Sequence, residues 1–596
     1  MPSLRATQLD LDGFQPFMSA VLLKSLTTKS NRALAEALIN EAGASIRTRG
    51  NTIRHVLDGP SVNRRGAFYV SCVVYSEEAP PSWDSRASSF SDKRHHVALA
   101  VVRGTRAALI ASDNGMRAAM LTAIHSAKKV PRQEAFQAFV GTQARTVWLD
   151  GTHASTTVKP DKKVLMGTSL EDALDPLGDH SYQLSSVRSK VPIAGSKTLG
   201  VSPGAARVWM SRTASLSTLL GQVGALFDRL DSPPSQPTAR FKFLSQPVSG
   251  TNGMHDAYEL AVLPSLLFDP DPNAPPGALD RAHEWAYEAA FRVTSVPNSP
   301  NFAIDVTLGT TSLGQLDVSV AIQPSGQVTL SAGSWTPIDA NLQALRDECQ
   351  NYLLDTAQTK IYYDSGHTVT EGQCFEGGYT EQVADWTFKN LVGFEIGKEK
   401  PDPAGGQTLA QAVAAGGGTS LFGYVKQVMF PTGWLASDDG AGEVGDFVHV
   451  DPVSGKVTLV HVKASSKDEA ARQVSVADYE VVVAQAVKNV RHLDKDNLIR
   501  ALQESRNRQM AIATWRDGAL VSRDDFIAIV QALPARFSRE VIVLQPRLSR
   551  AEHDACVNGT ATNDRVKRFQ QLNALVLAGR LAAMAVGATF EIFAAQ

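Results

Sequence analysis

Apolar and polar positions alternate with a period of two in some runs of this chain and recur with a period near 3.6 in others, and the two patterns interleave from end to end. Near the N-terminus, Phe17–Ser25 and Ala33–Glu41 have helical spacing. Ala67–Tyr75, His96–Val102 and Ala107–Ser112 read as strands, followed by a helix from about Met116 to Ala127. Ala206–Leu230 joins a short strand to a helix. Further on, Arg281–Phe291 and Ala340–Leu353 are spaced as helices, and Asn301–Gly309, Asp317–Gln323 and Val328–Ser331 as strands. In the last third, Thr419–Phe430 predicts a short amphipathic helix with a Ser or Thr N-cap. Phe447–Asp451 and Lys456–Lys463 predict two antiparallel strands turned through Pro452–Gly455. Ser475–Leu493 then reads as a helix capped by Ser475, and Glu540–Pro546 and Ala588–Ala594 as buried strands.

Three stretches rich in proline and glycine punctuate this pattern: Asp231–Thr238 (DSPPSQPT), Asp269–Gly277 (DPDPNAPPG) and Gly397–Gly406 (GKEKPDPAGG). With 596 residues, the chain is long enough for several cores. The expected organisation is a multidomain α/β protein with mixed α/β regions at 1–232 and 239–400 and a third domain at 407–596.

Composition is that of a globular protein, with 43% hydrophobic and 20% charged residues. The four cysteines, Cys72, Cys349, Cys374 and Cys556, have no C-x-x-C spacing, so neither a disulfide framework nor a zinc ribbon is expected. The first residues show no basic-then-apolar leader and no apolar run reaches membrane-spanning length, so a cytoplasmic protein without a membrane partner is expected. The net charge of −2 conceals an asymmetry: Lys and Arg exceed Asp and Glu by about nine over residues 1–232, leaving the remainder acidic. Arg64-Arg65, Lys93–His96, Lys128-Lys129 with Arg132, and Lys159–Lys163 are local basic clusters. A basic first part suits a polyanion such as nucleic acid, or carries ordinary solvated surface charge.

Candidate chemistry concentrates between Trp434 and Lys463. Asp438, Asp439, Glu443 and Asp446 fall within nine positions and run into the two expected strands, which close on His461-Val462-Lys463. Period-2 alternation puts His461 and Lys463 on one face with Val462 opposite, and a hairpin can bring Asp446 beside them. Carboxylates at a strand end can hold a hard divalent cation against a phosphodiester, and an adjacent ammonium can stabilise charge on the phosphate. The alternative is a polar loop leading to an edge strand, with Lys463 a solvated strand end.

The acidic run, strand, turn, strand and final x-x-Lys resemble the active-site signature of the PD-(D/E)xK, restriction-endonuclease-like nuclease superfamily. The resemblance covers about Thr419–Gln596, where the expected helix, strand, strand, helix, strand order matches that family's α/β core. It implies that Asp446 takes the place of the family's Asp and Lys463 that of its Lys. His461 stands where the triplet usually has an acid. The site then draws its second carboxylate from Glu443, the preferred choice, or Asp439; or uses His461 as a ligand for a softer ion or as a base; or is inactive. The main-chain carbonyl of Val462 is a further candidate ligand, and Gln485 on the following helix a weaker one. Implied with the resemblance are Mg²⁺ or Mn²⁺ as cofactor, nucleic acid as substrate with DNA ahead of RNA, and antiviral or anti-plasmid defence as a role. A protein partner or self-association would use the first 400 residues. The rival reading is a nuclease-fold subunit that binds nucleic acid or scaffolds a complex without cutting.

Other chemistries lack their signatures. No H-E-x-x-H zinc site or G-x-S-x-G elbow is present, and Gly416-Gly417-Gly418 is not followed by the Lys-Ser/Thr of a phosphate-binding loop. His367, in a turn after Tyr362-Tyr363, reads as a packing residue.

Overall fold

The computed structural model describes residues 15, 19–48, 52–63, 66–79, 91–112, 117, 120–121, 123–140, 143–154, 159–168, 170, 173–191, 193, 198–233, 241, 243–267, 277–323, 326–376, 384–440, 442–504 and 513–596. Arg64-Arg65 and parts of the Asp231–Thr238 and Asp269–Gly277 stretches and of the helix expected from about Met116 lie outside them. The protein is mixed α/β. It forms two compact units, one of residues 1–174 and 179–379, the other of residues 175–178 and 380–596. Among the described residues, no helix is long and apolar enough to cross a membrane.

An eleven-stranded sheet dominates the first unit. Along it lie Thr52–Asn63, Gly66–Ala79, Asp92–Arg103, Arg106–Ala111, Ser19–Ser25, Arg207–Trp209, Leu199–Ser202, Tyr182–Ser189, Ala144–Gly151 and Lys162–Met166, with Ala127–Lys129 pairing off Ser19–Ser25. One face packs on the helices Arg132–Phe139 and Leu216–Asp231. The other is covered, over the strands around Ser19–Ser25, by the helix Asn31–Thr48. Ser19–Ser25 is thus a central strand, where the spacing of Phe17–Ser25 predicts a helix. Its residues Ser19 to Leu23 are buried on both faces, and a fully apolar run does not separate the two periods.

A five-stranded and a four-stranded sheet complete this unit. The helix expected over Arg281–Phe291 is shorter: Ala278–His283 is helical, Glu284–Glu288 forms a wider π turn, and Ala289–Ser295 is a strand paired with Phe302–Leu308. The β-branched Val293 and Thr294 favour that ladder. Regions 1–232 and 239–379 belong to one unit, so the domain boundary expected at 232–239 does not separate two bodies. Buried Lys360 joins them, its ammonium 2.6 Å from both Asp150 and Asp161.

The second unit is built on an eight-stranded sheet: Trp386–Lys389, Thr589–Ala595, Ser538–Ser549, Lys456–Val462, Phe447–Asp451, Trp434–Ser437, Thr514–Arg516 and Ala519–Leu520. Phe447–Asp451 and Lys456–Val462 form the hairpin that alternation predicts, with Phe447 opposite Val460 and Asp451 opposite Lys456. Lys456–Val462, Ser538–Ser549, Thr589–Ala595 and Trp386–Lys389 are parallel to one another. Val457 and Leu459 pack toward Tyr479, Val482, Val483 and Ala486 of the helix Ala477–Asn489. Val460 and Val462 pack on the opposite face with Leu421, Phe422 and Val425. Residues 380–400, assigned to the middle region by sequence, belong here. Gly397–Gly406 begins as an ordered segment, with Leu421 and Phe422 N–H groups donating to the carbonyls of Lys398 and Glu399.

Candidate metal and phosphate site

The loop between Trp434–Ser437 and Phe447–Asp451 is folded tightly by its own polar groups. Asp438 is fully buried: one carboxylate oxygen accepts the N–H of Val444 at 2.9 Å and the other accepts Arg523 Nη2 at 2.7 Å. Its main-chain N–H donates to the carbonyl of Asp446 at 3.0 Å. Gly440 and Gly442 hold φ values of +136° and +77°, a region costly for residues with a Cβ. The bend lets the Gly440 N–H donate to Glu443 Oε2 at 3.1 Å. Asp438 is therefore a structural staple, and the other three acids are left for the site.

Asp439, Glu443 and Asp446 converge. Each offers a carboxylate oxygen, and the three oxygens lie within 4.8 Å of one another. They are also largely withdrawn from water, at 7%, 9% and 5% exposure. Burial, and then the Glu443 charge, push the Asp446 carboxyl well above the usual range, against the pull of its hydrogen bond from the Val462 N–H at 2.7 Å. Burial likewise raises Glu443, with Asp439 adding to it. Like charges crowded in low dielectric are costly unless a cation or a proton joins them.

Cations and an amide line the same place. Lys400 Nζ lies 2.9 and 2.8 Å from the two oxygens of Asp439. Burial works against its charge, but its hydrogen bond to Asp439 and the charges of Asp439, Glu399 and Asp446 together raise its pKa. Lys463, 44% exposed, lies 2.9 Å from Glu399 Oε2. The Glu399 charge also contributes to the raised Asp446 carboxyl, so one carboxylate is coupled to both residues. Gln485 Nε2 donates to Glu443 Oε1 at 3.1 Å. Lys488, one helical turn or less from Gln485, lowers the Glu443 pKa by its charge.

The structure therefore brings together Asp446, Glu443, Asp439 and Gln485; Lys463 pairs with Glu399, whose charge reaches Asp446. His461 does not join the cluster. Its ring is fully buried, neither ring nitrogen has a hydrogen-bond partner among the described residues, and burial, aided by Lys488, lowers its pKa to about 3. The imidazole is enclosed and lies outside the group of three carboxylates. Val462 enters through its main-chain N–H on Asp446. His449 is also a packing residue, stacked on Phe430 with ring centroids 4.2 Å apart.

Sequence reading missed Glu399 and Lys400, because proline and glycine mark their surroundings as a linker. The alternating charges of Lys398-Glu399-Lys400 were the available signal. An all-oxygen set of buried, mutually repelling carboxylates fits a hard divalent cation such as Mg²⁺ or Mn²⁺. No protein-family model, curated protein or solved structure matches the chain.

Proposed function

We propose that the second unit is a divalent-metal-dependent nuclease hydrolysing phosphodiester bonds, with DNA the preferred substrate. The observation that carries this reading is the convergence of the Asp439, Glu443 and Asp446 oxygens within 4.8 Å at the end of the strand pair that also carries Lys463. Asp446, Glu443 and Asp439 would hold Mg²⁺ or Mn²⁺, which when bound supplies Lewis acidity toward a phosphate oxygen and a water of lowered pKa.

The chain's own groups have separate tasks. Val462 N–H fixes the Asp446 carboxylate and leaves its other oxygen free, while Gln485 Nε2 and the Gly440 N–H each hold one oxygen of Glu443 in a set orientation. Lys463 is held by Glu399 at the exposed edge of the site, and its ammonium can transfer from that carboxylate to a non-bridging phosphate oxygen as charge builds there. Lys400 holds Asp439 in place and offsets part of the local negative charge.

A non-cutting, nuclease-fold subunit is the second reading, favoured by one observation: His461 replaces the acid of the family triplet and stays out of the cluster. Glu443 supplies a carboxylate from the preceding loop instead. Incubation of the full-length protein with labelled single-stranded and duplex DNA, with and without Mg²⁺ or Mn²⁺, separates the two. Metal-dependent cleavage lost in Asp446→Asn supports the enzyme. Binding without cleavage under every metal condition supports the subunit.

A further inference from the structure

We infer that the open face of the large sheet in the first unit binds single-stranded nucleic acid, with unpaired bases stacked on Trp148 and Trp209. This inference stands apart from the acidic cluster and from any cleavage there. Val147, Val187, Val201 and Val208 of four neighbouring strands point into the core on one side of the sheet. Alternation sends the residues between them to the other side.

On that side the register sets two rows. Trp148 lies opposite Ser186, Ser202 lies opposite Arg207, and the Ser186 and Ser202 hydroxyls are hydrogen-bonded between them. In the adjacent row, Arg188 lies opposite Gly200, and Gly200 opposite Trp209. Gly200 is required: a Cβ there would sit 2.0 Å from the Trp209 indole, so the missing side chain lets the ring lie against the sheet. The two indoles lean toward each other across the intervening strands, with centroids 6.2 Å apart and planes at 72°. They border a groove of about 490 Å³. Its apolar surface continues onto exposed Val164 and Met166, at 57% and 79% exposure.

Charge selects the occupant. Lys162, 3.6 Å from Asp150, and Arg207, whose Nε donates to Ser19 Oγ at 3.1 Å, line the groove, and exposed Arg188 flanks Gly200. Two carboxylates border the groove: Asp150 is buried and held by Lys360 at 2.6 Å, and Glu371 is held by Ser185 Oγ at 2.6 Å and Gln183 Nε2 at 2.9 Å. The Trp148 indole, the hydroxyls, and a Trp209 ring with the Arg207 guanidinium 5.8 Å from its centroid, on an open sheet, match the requirements of a stacked, unpaired strand, whose bases meet the aromatic and guanidinium planes and whose phosphates meet the peripheral cations. A duplex hides its base faces and cannot use the rings.

The test is fluorescence anisotropy of the full-length protein with a labelled dT20 oligonucleotide and a 20-base-pair duplex, in EDTA so that binding is read without cleavage. The expected result is salt-sensitive binding to dT20 in preference to the duplex, weakened about 5- to 100-fold by Trp148→Ala. Trp148→Phe should retain most of the affinity. Lys162→Gln, which removes the charge without setting a carboxylate against Asp150, and Arg188→Glu, at an exposed position, should weaken dT20 binding and flatten its salt dependence, each with an unchanged circular dichroism spectrum. Absence of binding, preference for the duplex, or dT20 affinity unchanged in the Trp148→Ala, Lys162→Gln and Arg188→Glu variants would overturn the inference.

Discussion

The Asp446 carboxylate accepts the main-chain N–H of Val462 at 2.7 Å, which ties the aspartate to the strand whose next residue is Lys463. Its second oxygen is left to face Glu443 and Asp439. Two neighbouring strands thereby present a carboxylate and an ammonium at one end, and the tie also costs stability, because it holds a carboxylate beside two others away from water.

That cost gives a pH dependence. Asp446 and Glu443 have raised folded pKa values, so between the ordinary carboxylate range and those values the folded protein holds more protons than the unfolded chain. In EDTA their contribution to stability falls as pH rises through that window. Asp446→Asn keeps an oxygen for Val462 and removes a charge, so it should melt at a higher temperature than wild type at pH 7.5, with the difference shrinking toward pH 4. Calorimetry of the two proteins across pH checks this.

Divalent metal should reverse the same penalty. A cation that binds only the folded form stabilises it by about 2.7 kcal/mol at a hundred times its dissociation constant. Mg²⁺ or Mn²⁺ should therefore raise the melting temperature of wild type and leave that of Asp446→Asn and Glu443→Gln nearly unmoved. An equal rise in all three proteins would place the ion elsewhere.

His461 has the opposite sign. Its folded pKa of about 3 lies below the ordinary 6.5, so stability from keeping it neutral is fully present above about pH 6.5 and is lost as pH falls toward 3. The integrated loss is on the order of 4 kcal/mol. His461→Leu should retain metal-dependent cleavage at neutral pH within about threefold and resist acid unfolding better than wild type, as followed by circular dichroism between pH 3 and 7. Loss of cleavage in a folded His461→Leu protein would return the imidazole to the site.

The hairpin of the site was legible in the sequence because Phe447–Asp451 and Lys456–Val462 alternate cleanly and Gly455 closes the turn at φ +62°. The clustering of Asp439, Glu443 and Asp446 was legible as density of charge. The division of labour among the acids was not. Asp438 and Asp439 look alike in sequence; the Val444 N–H and Arg523, 85 positions away, mark Asp438 as the staple. Glu399 was hidden by neighbours that resemble a linker, although the carbonyls of Lys398 and Glu399 anchor the turn at Leu421 and Phe422. Ser19–Ser25 was misread for a different reason: a strand buried on both faces carries no period to read.

Asp438 offers a structural control. Asp438→Ala leaves Arg523 without its buried partner and the Val444 N–H without an acceptor, and should cost about 3–5 kcal/mol in urea denaturation. Asp438→Ala with Arg523→Leu should recover part of that loss, since the guanidinium that has lost the aspartate is then gone.

The central claim is that Asp446 and Lys463 act on one phosphate. Its most direct test is the single-turnover rate of cleavage of a labelled DNA substrate in Mn²⁺ or Mg²⁺ by wild type, Asp446→Asn and Lys463→Met, each with an unchanged circular dichroism spectrum. The account predicts metal-dependent cleavage by wild type and rates at least about 100-fold lower in both variants. Cleavage by both folded variants at the wild-type rate would contradict it.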